Sequence, residues 1–254
     1  MKGLRTAIIS DVHSNMEALQ AVLGDIEEQE CDQIICLGDL IGYGPNPRQV
    51  LRIAVDLFEF SLMGNHEEGI LYEPVGFNWK AEASAWWTKD QLLSPRYPAE
   101  ESRRFWEYLQ EMPRNAQDGD VLFVHASPLD PTKEYLMPEA CFNPDYMKII
   151  FSKVKRVALG GHTHLPGIFF QDRPFVPQDH IPGPVTLEKG GKYFVNVGSV
   201  GQPRDGDTRA CYVIFDGKKV LYRRVRYNFR KTACKIKRIK RLPKALGARL
   251  SLGL

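Results

Sequence analysis

The sequence predicts an α/β fold with parallel strands at the centre of its sheet, and three observations carry that prediction. Within the first 70 residues an apolar run, a polar loop and an amphipathic stretch follow one another three times, the pattern of βαβ units. The apolar runs show little polar alternation, as strands buried on both faces do. Beyond residue 190 short apolar or alternating runs surround the turns Asp205-Gly206-Asp207 and Asp216-Gly217, which marks antiparallel strands finishing the sheet. At 254 residues and 43% hydrophobic content, the chain can build one ordinary core, so a single domain over 1–254 is expected.

In chain order, Leu4 to Ile9 reads as a central strand that ends at Asp11 and His13. Met16, Leu19, Val22 and Ile26 recur at helical spacing behind a capping Ser14 or Asn15. Gln33 to Leu37 is the second strand, ending at Asp39, with a helix through about Val55 after the Gly/Pro-rich loop 42–47. Phe58 to Met63 is the third, ending at Asn65 and His66. From about 71 to 113 the sequence turns to aromatic-rich helices (Trp79, Trp86, Trp87, Phe105, Trp106, Tyr108), a cap-like insertion whose aromatic stripe is mainly packing. Asp120 to Val124 is a fourth strand, ending at His125; a helix from Asn143 to about Val154 and a strand through Leu159 lead to His162 and His164. Phe169 to Pro184 reads as a loop carrying a surface His180, and Tyr193 to Val197, Ala210 to Phe215 and Val220 to Tyr227 as the closing strands. Ile236, Ile239, Leu242, Leu246 and Leu250 give the basic segment at about 230–254 one apolar face, as a docked helix broken near Pro243 requires.

The bulk properties narrow the function classes. No stretch approaches a membrane-spanning length, the N-terminal apolar run is too short for a signal peptide, and a cytoplasmic protein is expected. Five cysteines without a C-x-x-C pair indicate reduced, mostly buried thiols rather than a disulfide framework or a thiolate zinc site. The net charge of +3 conceals a stretch from Arg223 to Leu254 with no acidic residue. Such a run could be a nucleic-acid arm, but a solvated helix face is the more frequent case.

In a parallel-centred sheet ligands bind off the carboxyl ends of the strands, and there the metal-capable side chains collect. Five of six histidines (His13, His66, His125, His162, His164) lie at predicted strand ends with Asp11, Asp39 and Asn65. A His-x-His pair alone is often a surface arrangement; five strand ends in register are not. Imidazole and carboxylate together suit manganese, iron or zinc, and seven or eight donors exceed what one catalytic ion can use. Two ions are implied. Such a pair bridges a hydroxide and clamps the oxygens of a phosphoryl group during in-line displacement.

The blocks Asp11-x-His13, Gly38-Asp39, Gly64-Asn65-His66-Glu67, His125 and Gly161-His162-Thr163-His164, in this order, resemble the calcineurin-like metallophosphoesterases. The segments Gly38 to Pro47, Asn196 to Asp205 and Leu242-Pro243 resemble most the bacterial and archaeal phosphodiesterase-like subgroup. The resemblance implies a four-layer α/β/β/α sandwich of two mixed β-sheets flanked by helices, which the pattern alone does not separate from one doubly wound sheet. It implies a phosphoester substrate, probed first as a diester, and two divalent ions per chain, manganese ahead of iron, zinc or nickel. Asp11, His13 and His164 would take one ion, Asn65, His125 and His162 the other, and Asp39 would bridge. His66 would contact the phosphoryl group and protonate the leaving oxygen.

Two positions depart from the family pattern. Glu67 stands where many relatives have Asp, which puts a longer carboxylate in the position that would orient His66; Val197 stands where several have Pro. The alternatives are a phosphomonoesterase or protein phosphatase of the same fold and a non-catalytic metal-binding scaffold. Nucleic acid is the less favoured partner, and a homo-oligomer is compatible with the sequence.

Overall fold

A computed structural model describes residues 3–254. The first half runs β1 (Thr6–Ile9), α1 (Met16–Glu28), β2 (Gln33–Cys36), α2 (Pro47–Leu57), β3 (Phe60–Ser61), α3 (Asn65–Leu71), α4 (Trp79–Leu92), α5 (Ala99–Glu111), β4 (Asn115–Asp118) and β5 (Val121–Val124). It continues through α6 (Pro144–Ser152), β6 (Val157–Gly160), β7 (Gly167–Phe170), β8 (Val176–Pro177), β9 (Val185–Thr186), β10 (Tyr193–Asn196), β11 (Ala210–Phe215), β12 (Lys219–Val225), α7 (Phe229–Arg238) and α8 (Ala245–Ala248). Helix starts follow local chemistry. The Asn15 side chain accepts from Ala18 N at 3.2 Å to cap α1, Asn78 caps α4 through Lys80 N and Ala81 N, and Pro47 opens α2 where no amide is needed.

Two six-stranded sheets result, ordered β3-β2-β1-β11-β12-β9 and β4-β5-β6-β10-β7-β8. β1 pairs parallel with β2 and antiparallel with β11, while β10 pairs parallel with β6 and antiparallel with β7, so both sheets are mixed. Strand alternation sorts side chains into layers. Ile8, Ile35, Val213 and Phe215 join Val157, Leu159 and Val195 in the core between the sheets. Ala7, Ile9, Cys36, Tyr212 and Ile214 point outward to α1, α2 and α5, and Ala158 and Phe194 point outward to Ile150 and Phe151 of α6. The four-layer sandwich is therefore the observed architecture.

Several sequence expectations are corrected. β4, Asn-Ala-Gln-Asp, is polar and mostly exposed at a sheet edge, so no apolar signal announced it. The expected loop 169–184 instead contains the end of β7, the short strand β8 and a 3₁₀ turn at Gln178–His180. β10 lies in the other sheet from β11 and β12; it is apolar on both faces, and such a strand carries no record of which sheet it joins. The third strand is only two residues long and sits at an edge beside β2. Of the cysteines only Cys36 and Cys211 are buried, with Cys31 and Cys141 intermediate and Cys234 exposed. In the aromatic stripe Trp87 and Phe105 are buried, whereas Trp79 and Trp86 are exposed.

The basic tail docks on the body. Ile236, Leu242, Leu246 and Leu250 are buried around Tyr43, Ala81 and Trp87, and the Thr232 hydroxyl donates to Asn15 Oδ1 at 2.8 Å. Lys231 and Lys235 both pair with Glu17, at 3.2 and 2.6 Å, and Arg241 pairs with Asp90. Among the described residues no helix is long and apolar enough to cross a membrane. Leu246→Ala should cost about 2–5 kcal/mol of unfolding free energy, the range for emptying a buried leucine site, read from the urea midpoint at unchanged m-value.

Candidate metal centre

Every residue expected at the site is brought to one end of the two sheets. Asp11 and His13 follow β1, Asp39 follows β2, Asn65 and His66 open α3, His125 follows β5, and His162 and His164 follow β6. The backbone turns sharply there: Asp11 (φ 54°), His13 (48°), Asp39 (52°), His162 (64°) and His164 (61°) all occupy the left-handed region. This conformation is uncommon for residues other than glycine and persists where surrounding contacts over-determine it. Those contacts run from loop to loop. Asp11 N donates to Gly38 O at 3.0 Å, His13 N to Asp39 O at 2.9 Å, Ser14 N to Leu40 O at 2.8 Å and Gly201 N to Asp11 O at 2.9 Å. The carboxylates join in, with His162 N donating to Asp11 Oδ2 and His66 N to Asp39 Oδ1, each at 2.9 Å. A side chain at Gly64 would collide with the Asp39 carboxylate, and one at Gly161 with Ser10 and Asp11; both positions must remain glycine for the loops to approach.

Four imidazoles are oriented in the same manner. His13 Nδ1 lies 3.2 Å from Ile41 O, His125 Nδ1 3.0 Å from Leu37 O and His162 Nε2 3.1 Å from Lys133 O, while His164 Nδ1 bonds Gln202 O. A carbonyl can only accept, so each of these nitrogens carries the hydrogen and the other nitrogen offers a lone pair. The free nitrogens meet in two pairs. His13 Nε2 and His164 Nε2 are 3.2 Å apart, and His125 Nε2 and His162 Nδ1 are 3.1 Å apart. Neighbouring donors around an ion at about 2.0–2.2 Å have spacings of this size. Asp11 Oδ1 approaches the first pair, 3.0 Å from His164 Nε2, and Asn65 Oδ1 the second, 3.2 Å from His125 Nε2. Asp39 Oδ2 stands between them, 3.7 Å from His13 Nε2 and 3.4 Å from His125 Nε2. Asp11 Oδ1 is buried and, apart from His164 Nε2, has no hydrogen-bond partner among the described residues, which fits an atom reserved for a cation.

The electrostatics agree with a site built for positive charge. Burial opposes ionisation of Asp39, but His125 and the other rings outweigh it and hold the carboxyl well below its ordinary range. Asp11 is lowered in the same way: burial opposes ionisation, and His164 outweighs it. Burial pushes His162 down to about 3, helped by the charge of His125, whereas at His125 the Asp39 carboxylate overcomes burial and lifts the ring to about 9.

His66 differs from the other four. It has no carbonyl partner, and its buried Nδ1 is unpaired. Its ring packs against Tyr43 at 4.4 Å and against His13 and Phe77 at 4.9 Å. Burial holds it down to about 4 despite the Asp39 charge. The expectation of Glu67 as its orienter is corrected. Glu67 is fully buried and turns away, its Oε2 accepting from Asp39 N at 2.8 Å and Gly64 N at 2.9 Å, its Oε1 from Ile41 N at 3.2 Å. The longer side chain ties the Asp39 loop to the loop of Asn65. Burial, with the charge of Asp39, raises its carboxyl to about 7.

The turn with Val197 is held by hydrogen bonds and needs no proline. Asn196 Nδ2 donates to Gly161 O and Thr163 Oγ1, both at 2.8 Å, Gly198 N returns to Asn196 Oδ1 at 2.9 Å, and Ser199 Oγ donates to Asp11 O at 2.9 Å. His180 is exposed. Sequence reasoning missed Tyr43, which lies against both His13 and His66, and Tyr135, whose ring centroid is 3.9 Å from that of His162. It also missed Gln202 and Arg204. The Gly-Tyr-Gly and Gly-Gln-Pro-Arg stretches were the available signals, since each places a functional side chain between turn formers.

Two mixed sheets with paired imidazole and carboxylate donors at their common end define a metallohydrolase-type centre. The sequence model of the calcineurin-like phosphoesterases matches residues 4–166, and the chain belongs to that family, one of metal-dependent phosphoester hydrolases. It is 38% identical over 256 residues to the uncharacterized protein MJ0912 of Methanocaldococcus jannaschii, covering 97% of each chain. A metallophosphoesterase from Sphaerobacter thermophilus superposes with a TM-score of 0.82 at 34% identity, with 100% of both chains covered. The hypothetical protein PH1004 of Pyrococcus horikoshii OT3 shares the fold, with a TM-score of 0.77, 20% identity and 98% of each chain covered.

Glu67→Gln removes one of two acceptors that hold three amides. Weakening of divalent-metal binding by about 10-fold or more is expected, the usual scale for loss of an outer-shell support, with Glu67→Ala weaker still. Calorimetric titration of the chelated protein with Mn²⁺ checks it; unchanged affinity in both variants would dismiss the clamp.

Proposed function

We propose that the protein is a two-metal phosphodiesterase in which Asp11, His13 and His164 hold one ion, Asn65, His125 and His162 the other, and Asp39 both. The observation that supports this most is the fixing of four imidazoles by backbone carbonyls, which leaves their second nitrogens in two adjoining donor sets with Asp39 Oδ2 between. Manganese is the first candidate for both positions, with iron, zinc and nickel behind it, since mixed nitrogen and oxygen donors suit all four. When bound, such ions supply a bridging hydroxide at neutral pH and counter-charge for phosphoryl oxygens. Diester preference is supported by the likeness of the Gly38–Pro47 and Asn196–Asp205 segments to the phosphodiesterase-like subgroup.

The chain's own residues then divide the work. The loop-to-loop hydrogen bonds hold the donors before any ligand arrives, so no reorganisation is needed on binding. His66, free of a carbonyl partner and beside His13, is the group that contacts the phosphoryl oxygens and delivers a proton to the leaving alcohol. Tyr43 and Phe77 wall its ring and limit the water around it.

Chelated protein should be inactive and should regain hydrolysis of bis(p-nitrophenyl) phosphate as Mn²⁺ is restored to two ions per chain. Preference for p-nitrophenyl phosphate would replace the diesterase reading with a monoesterase. Silence on both with two ions bound would sink the catalytic reading. His66→Ala should retain both ions and lose about 10²–10⁴-fold in kcat on alkyl esters, with a smaller loss on p-nitrophenyl esters, whose leaving group needs little protonation. An equal loss across leaving groups would remove the proton-donor role.

A further inference from the structure

The proposed function leaves one cation at the site unused. Arg204 follows the turn that carries Gln202, and its amide donates to His164 O at 3.4 Å. Its guanidinium meets only neutral acceptors: Gln202 Oε1 at 3.3 Å from Nε and 2.9 Å from Nη2, and the hydroxyl of Tyr135, whose ring lies on His162. Neighbouring arginines are treated differently. Arg209 pairs with Asp207 and Arg224 with Asp205, and elsewhere Arg48, Arg156 and Arg223 each have a carboxylate. Among the described residues no carboxylate lies within ion-pairing distance of Arg204. Its charged surroundings include a second guanidinium, since Arg249 is depressed first by burial and then by Arg204. Arg249 itself donates to the backbone oxygen of Leu254. A half-buried cation beside another cation, with only neutral partners, is costly unless an anion completes it.

The position says which anion. Through Gln202, whose carbonyl fixes His164, and Tyr135, whose ring lies on His162, Arg204 stands beside both donor sets. Two ions and His66 can accept the two non-bridging oxygens that every simple diester has. A guanidinium fork is a further acceptor-seeking group and matches phosphate oxygens two at a time.

We infer that Arg204 is a specificity-determining residue that receives negative charge beyond the single charge of a simple diester. The substrate class is then a phosphoester with an additional anionic oxygen near the reacting phosphorus. That oxygen comes either from a second phosphate on the alcohol or from the terminal oxygen of a monoester. This rests on the two-metal phosphoesterase reading but not on diester preference.

The test uses full-length, Mn²⁺-loaded wild type, Arg204→Ala and Arg204→Lys, with melting curves to confirm folding. Two matched substrate comparisons separate the sources. One sets p-nitrophenyl phosphate against bis(p-nitrophenyl) phosphate. The other sets the 5′-p-nitrophenyl ester of thymidine 3′,5′-bisphosphate against the 5′-p-nitrophenyl ester of thymidine 5′-phosphate. In Arg204→Ala the kcat/KM ratio of the more charged to the less charged member should fall about 10- to 100-fold in one comparison, the scale of a lost charge-assisted hydrogen bond. A fall in the first identifies the monoester oxygen, a fall in the second the additional phosphate, and Arg204→Lys should be intermediate. Unchanged ratios in both comparisons, or equal losses on all four substrates, overturn the inference. Calorimetric binding of inorganic phosphate keeps the two readings apart. If wild type turns over none of these substrates, the phosphoesterase reading fails, while about 10-fold weaker phosphate binding in Arg204→Ala still supports the anion site and unchanged binding dismisses it.

Discussion

The site depends on one constraint, the locking of left-handed backbone at the donor residues by hydrogen bonds between loops. Each such residue carries a conformational cost on the order of 1–3 kcal/mol, and five of them stand within one cluster. The cost is borne because each loop is bonded to the next: the β1 loop to the β2 loop through Asp11 and His13, and the β6 loop back to β1 through His162 and Asp11. Asp and His are among the residues that tolerate this backbone, so the ligand types and the turn geometry reinforce each other. A carboxylate such as Asp11 serves twice, with Oδ2 holding the His162 amide and Oδ1 facing the cluster.

The two-sheet architecture makes that locking possible. β1 and β2 belong to one sheet, β5 and β6 to the other, and the core between them brings their carboxyl ends together. Donors 151 residues apart, His13 and His164, thereby meet at 3.2 Å. Aliphatic side chains such as Ile8, Leu37 and Leu159 are fully or almost fully buried in this core, and close packing resists independent movement of the sheets. The candidate metal centre is accordingly a property of the sandwich rather than of any single motif.

Much of this was legible in the sequence, and the exceptions have physical causes. The convergence of Asp11, His13, Asp39, Asn65, His125, His162 and His164 was readable because apolar strands end abruptly at polar side chains capable of binding metal. The layer structure was readable only through family resemblance, since Phe194 and Val195 of β10 look alike whichever sheet receives them. β4 and β8 were hidden because edge strands of four and two residues need no apolar face. The role of Glu67 was hidden for another reason: its partners are backbone amides, and an amide leaves no trace in the sequence. Tyr43, Tyr135 and Arg204 act through positions fixed only after distant segments have packed, so the turn formers around Tyr43 and Arg204 mark loops without saying what those side chains touch.

Tyr43 links the two ends of the chain. Its ring rests on His13 and His66 on one side and belongs to a cluster with Ile236, Leu242, Leu246 and Leu250 on the other. The family's sequence match stops at residue 166, before β10, β11, β12 and the tail that backs this tyrosine. A boundary drawn at the match would therefore remove strands from the middle of both sheets and leave the ring beside His66 without its support. The working unit of this family extends here to the last helix, whose apolar side chains shape the wall behind Tyr43.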